Sequence, residues 1–342
     1  MDIKRIWPND KQSYAQAEAL LNREGISFDQ HLDYTLGLYE DNNLLATGSF
    51  YRNTLRCLAV DSAYQGEGLM ATLISQLIQE LFSRGVYELF MYTKKSAAKS
   101  FGMLGFYEIA SIDEVVFLEN RKEGFANYLK SLEKPELPAG AQVGAIVMNA
   151  NPFSLGHQYL VEQAAMQCRA LHLFIVSEDI SLFPFAVREK LIRAGTAHIP
   201  NIFYHPTGPY LVSSATFPSY FIKESDALTL AQARVDATVF GRIATALAIT
   251  DRFVGEEPFS PSTALYNQAM SECLPARGVQ LHIIPRRKDA GNTPISATRV
   301  REAMKSGDLD SLKHLVPQTT FDFLSGPEGR IIAQKLRQMK DN

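Results

Sequence analysis

The sequence predicts an α/β protein in two domains, a mixed α+β domain followed by a domain built on a parallel sheet. Three observations carry this. A chain of 342 residues is longer than one hydrophobic core usually serves, about 250–300 residues. The segment Glu133 to Gly140 (EKPELPAG) is rich in proline and polar residues and reads as a connection. The hydrophobic rhythm also changes across it: strand patterns crowd together before it, and strand alternates with helix after it. The expected division is residues 1–132, a linker over 133–140, and residues 141–342.

In the first domain, Tyr34 to Tyr39 alternates as a strand and Asp41-Asn42-Asn43 turns the chain. Leu44 to Tyr51 and Leu55 to Val60 continue as strands. A glycine-rich turn, Tyr64-Gln65-Gly66-Glu67-Gly68, leads into a helix from Met70 to Ser83. Its stripe is Leu73, Ile74, Leu77, Ile78 and Leu81, and Gly85 suits its stop. Glu88 to Tyr92 reads as a strand, Ala97 to Leu104 as a helix, and Gly105-Phe106-Tyr107 opens one last strand ending near Leu118.

In the second domain, Val143 to Met148 is an apolar run of strand length. Gly156 to Cys168 is helical, with Leu160, Val161, Ala164 and Cys168 on one face. Strand Leu171 to Val176, helix Val187 to Ala197 and strand Ile202 to His205 follow. Phe253-Val254 starts another strand, Ser262 to Cys273 is helical, Val279 to Ile284 is a strand, and Ala297 to Met304 is a helix. Such alternation predicts a parallel sheet with helices on both faces. Ligands of these sheets sit at the carboxyl ends of the strands.

The bulk numbers exclude several classes. Hydrophobic residues make up 46% and charged residues 21%, with a net charge of −3. No basic surplus points to nucleic acid, and no basic tail or long apolar run points to a membrane. Cys57, Cys168 and Cys273 form no CxxC pair, so neither a disulfide framework nor a zinc site is expected. The polar N-terminus lacks the apolar region of a signal peptide, which reads as a cytoplasmic protein.

Two motifs carry chemistry. Met148-Asn149-Ala150-Asn151-Pro152-Phe153-Ser154-Leu155-Gly156-His157 lies between the first strand and first helix of the second domain. Backbone N–H groups and the helix dipole favour an anion there, Ser154 and His157 add donors, and Gly156 permits close approach of a phosphate. Pro294-Ile295-Ser296-Ala297-Thr298-Arg299-Val300-Arg301 again joins a strand to a helix start. Ser296 or Thr298 suits the cap, and Arg299 and Arg301 place positive charge where a bound anion would offset it.

Together these motifs resemble the (H/T)xGH and ISSTxxR signatures of the nucleotidyltransferase superfamily of class I tRNA-synthetase type. The match rests on Ser154, Gly156, His157, Ile295, Ser296, Thr298 and Arg301. Ser154 departs from His or Thr, Ala297 from Ser, and Asn151 from a frequent Asp. Phe253 to Pro258, with Glu256 and Glu257, resembles that family's later strand-end segment, and Pro285-Arg286-Arg287 its lead into the second signature. In the first domain, Gln65-Gly66-Glu67-Gly68 resembles the pyrophosphate loop of the GNAT acetyltransferases, with Met70 departing from Gly or Ala. Ala97 to Tyr107 resembles a later segment of that family. The implied fold is a GNAT-like α+β domain followed by a nucleotidyltransferase-type (HxGH superfamily), Rossmann-like parallel-sheet domain.

The order of the two domains and the NPFSLGH phrase make the chain similar to the citrate lyase ligase family. That resemblance implies an AMP-forming acid–thiol ligase using ATP, with Mg²⁺, and acetate. The partner it implies is the citrate lyase acyl-carrier subunit, whose CoA-derived thiol becomes acetylated through acetyl-adenylate. Under it His157, Ser154 and Arg301 are catalytic. Asn151, Phe153, Gly156, Glu256, Ser296, Thr298 and Arg299 bind ATP, and Gln65, Gly66 and Gly68 face a phosphate of the prosthetic group. No protein metal ligands are assigned. The motifs also leave open an adenylyltransferase of the pantetheine-phosphate type making a free dinucleotide, a non-catalytic acyl-carrier-binding adaptor, and an active N-acetyltransferase.

Overall fold

A computed structural model describes residues 1–29, 31–113, 115–213, 226–256 and 261–338. Backbone contacts divide the chain into two units, Met1–Ala126 and Asn127–Asn342. Residues 133–140 hold no helix or strand. Lys134 in that segment donates to the Ala246 carbonyl at 3.0 Å, within the second unit.

The first unit contains β1 (Asp2–Ile6), α1 (Lys11–Arg23), β2 (Tyr34–Glu40), β3 (Asn43–Tyr51), β4 (Thr54–Val60), α2 (Leu69–Ser83), β5 (Phe90–Lys94), α3 (Ala98–Met103), β6 (Tyr107–Ser111) and β7 (Val115–Glu119). The strands form one seven-stranded sheet in the order β1-β2-β3-β4-β5-β7-β6. Its one parallel pair, β4 with β5, is matched only at Thr54–Phe90 and Leu55–Met91, so the two strands part beyond Leu55. The period-3.6 stripe of α2 buries Leu69, Leu73, Ile74, Leu77 and Leu81 against the sheet. Each such side chain contributes about 1.5–3 kcal/mol when fully removed from water.

The single last strand expected up to Leu118 is two strands. The chain reverses through Ile112 and Asp113, with the Ile112 N–H donating to the Val115 carbonyl at 2.9 Å, and β6 and β7 pair antiparallel. No glycine or proline marks that turn, so apolar residues on both sides read as one run. The helix α4 (Gly124–Ser131) follows.

The second unit alternates strand and helix: β8 (Val143–Met148), α5 (Leu155–Ala165), β9 (Ala170–Ile175), α6 (Phe185–Gly195), β10 (Ile202–Pro206), α7 (Asp226–Leu247), β11 (Asp251–Gly255), α8 (Pro261–Cys273), β12 (Gln280–Ile284) and α9 (Ala297–Ser306), of which α7 was not expected. Three more helices close it: α10 (Leu309–Leu315), α11 (Gln318–Ser325) and α12 (Pro327–Gln338). Cys168, expected on α5, lies beyond its end at Ala165. Five parallel strands stand in the order β10-β9-β8-β11-β12. The order reverses direction between β8 and β11, and such a switch point opens a crevice at the strands' carboxyl ends. Among the described residues, no helix is long and apolar enough to cross a membrane.

Candidate active site

The crevice at the β8–β11 switch point is a cavity of about 770 Å³. Asn151, Ser154, Gly156, His157, Glu256, Ser296, Thr298, Arg299 and Arg301 all line it. Residues that lie about 140 positions apart in the chain are thereby brought together, and the local geometry explains how.

Ser154 is the N-cap of α5 and forms a reciprocal box with His157. Its Oγ accepts the His157 backbone N–H at 3.4 Å. Its own backbone N–H donates to Nδ1 of His157 at 3.1 Å, and its Oγ lies 2.9 Å from the same nitrogen. A backbone N–H can only donate, so Nδ1 must be the acceptor and the ring proton sits on Nε2. Burial, and then the positive charges of Arg286 and Arg301, push the His157 pKa down to about 4. At neutral pH this imidazole is a fixed, uncharged N–H donor.

The second motif repeats the cap. Ser296 precedes α9, and its Oγ accepts the Arg299 N–H at 3.3 Å. Arg301 binds the two motifs together: Nη1 donates to the Asn151 carbonyl at 2.6 Å and Nη2 to Thr298 Oγ1 at 3.1 Å. Gly156 completes the lock. A Cβ there would lie 2.8 Å from the Ile295 backbone carbonyl, so the missing side chain makes room for the second motif. The same glycine also lines the cavity.

Other expected residues have different neighbours. Phe153 is fully buried in the core between β8, α5 and α6, and a Cβ on Gly195 would collide with its ring. Its side chain does not line the cavity; its ring stacks beneath that of His157, 5.9 Å between centroids, and so braces it. Asn151 accepts the Phe183 N–H on Oδ1 at 3.0 Å. Arg299 pairs with Asp289 at 2.6 Å and also donates to the carbonyls of Thr293 and Pro294. The Asp289 carboxyl is held below its usual range by the Thr293 backbone N–H and by Arg299. Arg286 donates to the Glu256 carbonyl at 2.7 Å and lines the cavity with Arg287. Glu257 lies outside the described residues.

Two further arginines here have no local sequence signature. Arg188 of α6 is fully buried and donates to the carbonyls of Phe183, Asn149, Val176 and Glu178, tying the loops after β8 and β9 together. Arg252 of β11 is also buried and lines the cavity. Among the described residues, no group of three or more His, Cys, Asp or Glu is placed to hold a metal. The described cavity lining carries two carboxylates, Glu256 and Glu302.

In the first unit, Gly68 is the N-cap of α2 with φ +78°, and no side chain caps that helix start. Gly66 has φ +91°, and a Cβ on either glycine would meet nothing within 4 Å. Gln65 turns back to the Val60 carbonyl and Glu24, at 3.5 and 3.4 Å. Met70 packs against the core of this unit.

Residues 143–324 match the model of the citrate lyase ligase C-terminal domain, and residues 2–108 match that of the acetyltransferase (GNAT) family. The citrate (pro-3S)-lyase ligase of Klebsiella pneumoniae is 39% identical over 92% of this chain and 93% of its own. The Escherichia coli protein of that name is 38% identical over 94% of this chain and 92% of its own. The chain belongs to the citrate lyase ligase family. Among solved structures, the ribosomal-protein-S18-alanine N-acetyltransferase from Escherichia coli is similar at 21% identity and a TM-score of 0.29, covering 34% of this chain and 91% of that one. The family is one of ligases, and here a segment matching the GNAT family precedes the ligase C-terminal domain.

Proposed function

We propose that this chain is an AMP-forming ligase that acetylates the prosthetic-group thiol of a citrate lyase acyl-carrier subunit through acetyl-adenylate. The observation that carries the reading is the convergence of two serine-capped helix starts on one cavity, with Arg286, Arg301 and an uncharged His157 N–H donor on its wall.

In the first step, a carboxylate oxygen of acetate attacks the α-phosphorus of ATP. The bond from that phosphorus to the bridging oxygen breaks, and pyrophosphate leaves with the electron pair. In the second, the deprotonated thiol attacks the acyl carbon, the bond to the AMP oxygen breaks, and the thiol proton passes to water. No protein group needs to be a nucleophile, so positioned donors and cations supply the catalysis. His157 donates from Nε2 to a phosphate oxygen and keeps its proton throughout. Ser154 fixes that tautomer. Ser296, Thr298 and Arg301 hold the departing pyrophosphate, while Arg299 shapes the loop through Asp289. Mg²⁺ brought by the nucleotide would supply charge neutralisation on the phosphates, a role that asks for few protein carboxylates. Glu256 and Glu302 are the carboxylates within the described lining that it would meet.

The first unit supplies recognition in this reading. Gln65, Gly66 and Gly68 present the uncapped α2 start to a phosphate of the prosthetic arm.

The test is acetate-dependent exchange of pyrophosphate into ATP, run with and without a pantetheine thiol. His157→Ala is expected to reduce exchange by about 10²–10³-fold, the usual loss on removing one such donor. Near-normal exchange in that variant rules out the catalytic assignment. A stable adenylylated product in place of AMP would identify a free-dinucleotide adenylyltransferase, and failure to bind ATP would identify an adaptor.

A further inference from the structure

The phosphate chemistry leaves one buried cation on the cavity wall unused. Arg252 is 1% exposed, and its guanidinium lies over the Phe240 ring, 4.6 Å from the centroid. Two of its nitrogens, Nε and Nη1, are buried without a protein hydrogen-bond partner. The nearby acid is engaged elsewhere: Asp236 accepts the Val212 N–H at 2.7 Å on one oxygen and the Tyr266 hydroxyl at 2.6 Å on the other. Burial works against the charge of Arg252, with Tyr266 and Asp236 opposing that effect.

Arg188 shows what this fold does with a buried guanidinium whose work is structural. Each of its three nitrogens donates to a backbone carbonyl. Arg252 has the same burial and lacks that satisfaction, although a buried donor left unpaired is costly and a charged one more so. Unpaired donors of a buried cation on a cavity wall call for an anion with oxygen acceptors, and a carboxylate supplies both the charge and the acceptors. Val212 and Met270 line the same cavity and offer an apolar surface for a short alkyl end.

We infer that Arg252 is the seat for the carboxylate of the acid substrate, a short aliphatic monocarboxylate, with Val212 and Met270 against its alkyl group. This rests on the ligase reading above. An acid held there through one oxygen keeps the other for attack on the α-phosphorus, so binding and reactivity do not compete.

The experiment is exchange kinetics over a range of acetate concentrations, with ATP affinity measured separately by calorimetry. In Arg252→Gln the KM for acetate should rise by about 10–100-fold, as expected on losing charge-assisted hydrogen bonds, with ATP affinity within about twofold of the unaltered chain. Arg252→Lys keeps the cation without the planar set of donors and should give a smaller rise in the same direction. Met270→Ala leaves the arginine in place, widens the apolar side, and should shift preference from acetate toward butyrate. It is the variant to read if Arg252→Gln fails to bind ATP or melts early. An unchanged acetate KM in Arg252→Lys together with unchanged acid preference in Met270→Ala overturns the inference. Absence of acetate-dependent exchange in the unaltered protein overturns the ligase reading itself, and the carboxylate seat with it.

Discussion

Two helix starts in this chain follow a strand and a loop and carry glycine, and they use it for opposite reasons. Before α2, Gly66 and Gly68 adopt φ of +91° and +78°, and a Cβ on either would meet open space. Glycine there supplies a backbone conformation. In α5, Gly156 is an ordinary helical residue whose Cβ would lie 2.8 Å from the Ile295 carbonyl. Glycine there supplies room. The first start is left bare of side-chain caps, whereas the second is capped by Ser154, tied to His157 and bridged by Arg301. A bare start can receive a phosphate by its backbone alone. A start locked against a second motif can hold several donors in register for a reaction.

The comparison is broken most severely by putting the same methyl group in both places. Gly156→Ala pushes against backbone, which cannot swing aside as a flexible side chain would. The two motifs must separate, and with them the donors that share the cavity. Exchange of pyrophosphate into ATP should fall by at least about 10²-fold, since small misplacements of a catalytic group have that consequence. The overpacking should cost about 1–3 kcal/mol in denaturant unfolding. Exchange within a few fold of the unaltered protein would show that the contact between the motifs is incidental.

A second test uses pH, because the α5 start carries a histidine whose pKa is displaced downward. The folded pKa of His157, about 4, lies below the ordinary imidazole value of 6.5, so the folded form binds fewer protons between those values. Stability is therefore full above about pH 6.5 and is lost as pH falls toward 4. Protonation also places an N–H on Nδ1, facing the Ser154 N–H that now donates to it. Exchange should stay level from about pH 8 down to 5 with respect to this group and fall below it. His172 and His205, 2.8 Å apart and each pushed down to about 4 chiefly by burial, add to the same acid limb of stability. Melting curves across this range check the sign, and His157→Ala should flatten part of the slope. A stability maximum below pH 5 would contradict the assignment.

How much of this was readable beforehand depends on whether the signal is local. β2, β3, β4 and α2 repeat with a clean period, and both motifs are short phrases at helix starts, so the sequence displays them. α7 runs from Asp226 to Leu247 but buries Ala233, Val235, Ala237, Val239 and Phe240 on several sides, so its amphipathic stripe is blurred. Phe153 sits inside a motif, yet its side chain points into the core, because a short loop must anchor itself as well as face a ligand. Arg188 and Arg252 are single arginines in an ordinary helix and an ordinary strand. Their burial, and the difference in how they are satisfied, exists only once distant segments pack.

Ser154→Ala is a milder break. It removes the hydroxyl that caps α5 but leaves the Ser154 backbone N–H donating to His157, so the tautomer is retained. The expected cost is about 1 kcal/mol of stability, the usual value of an N-cap, and only a few-fold in exchange. A loss as large as that of His157→Ala would mean that the hydroxyl itself contacts the phosphates.

The smallest effect is expected at the bare start. Gly68→Ala meets no atom within 4 Å, so the only cost is holding alanine at φ +78°. That conformation costs an L-residue about 1–2 kcal/mol, partly offset because alanine has less freedom to lose on folding than glycine. Melting should drop by a few degrees at most, and acetate-dependent exchange, which the reading assigns to the second unit, should not change. If the α2 start receives the prosthetic arm, the KM for the thiol acceptor rises while exchange stays constant, since a strained cap shifts the N–H groups that would meet the phosphate. If both are unchanged, the uncapped start is a turn and nothing more. A fall in exchange would mean that the two glycine-bearing starts serve one reaction step, and the contrast between conformation and room would then describe their chemistry poorly.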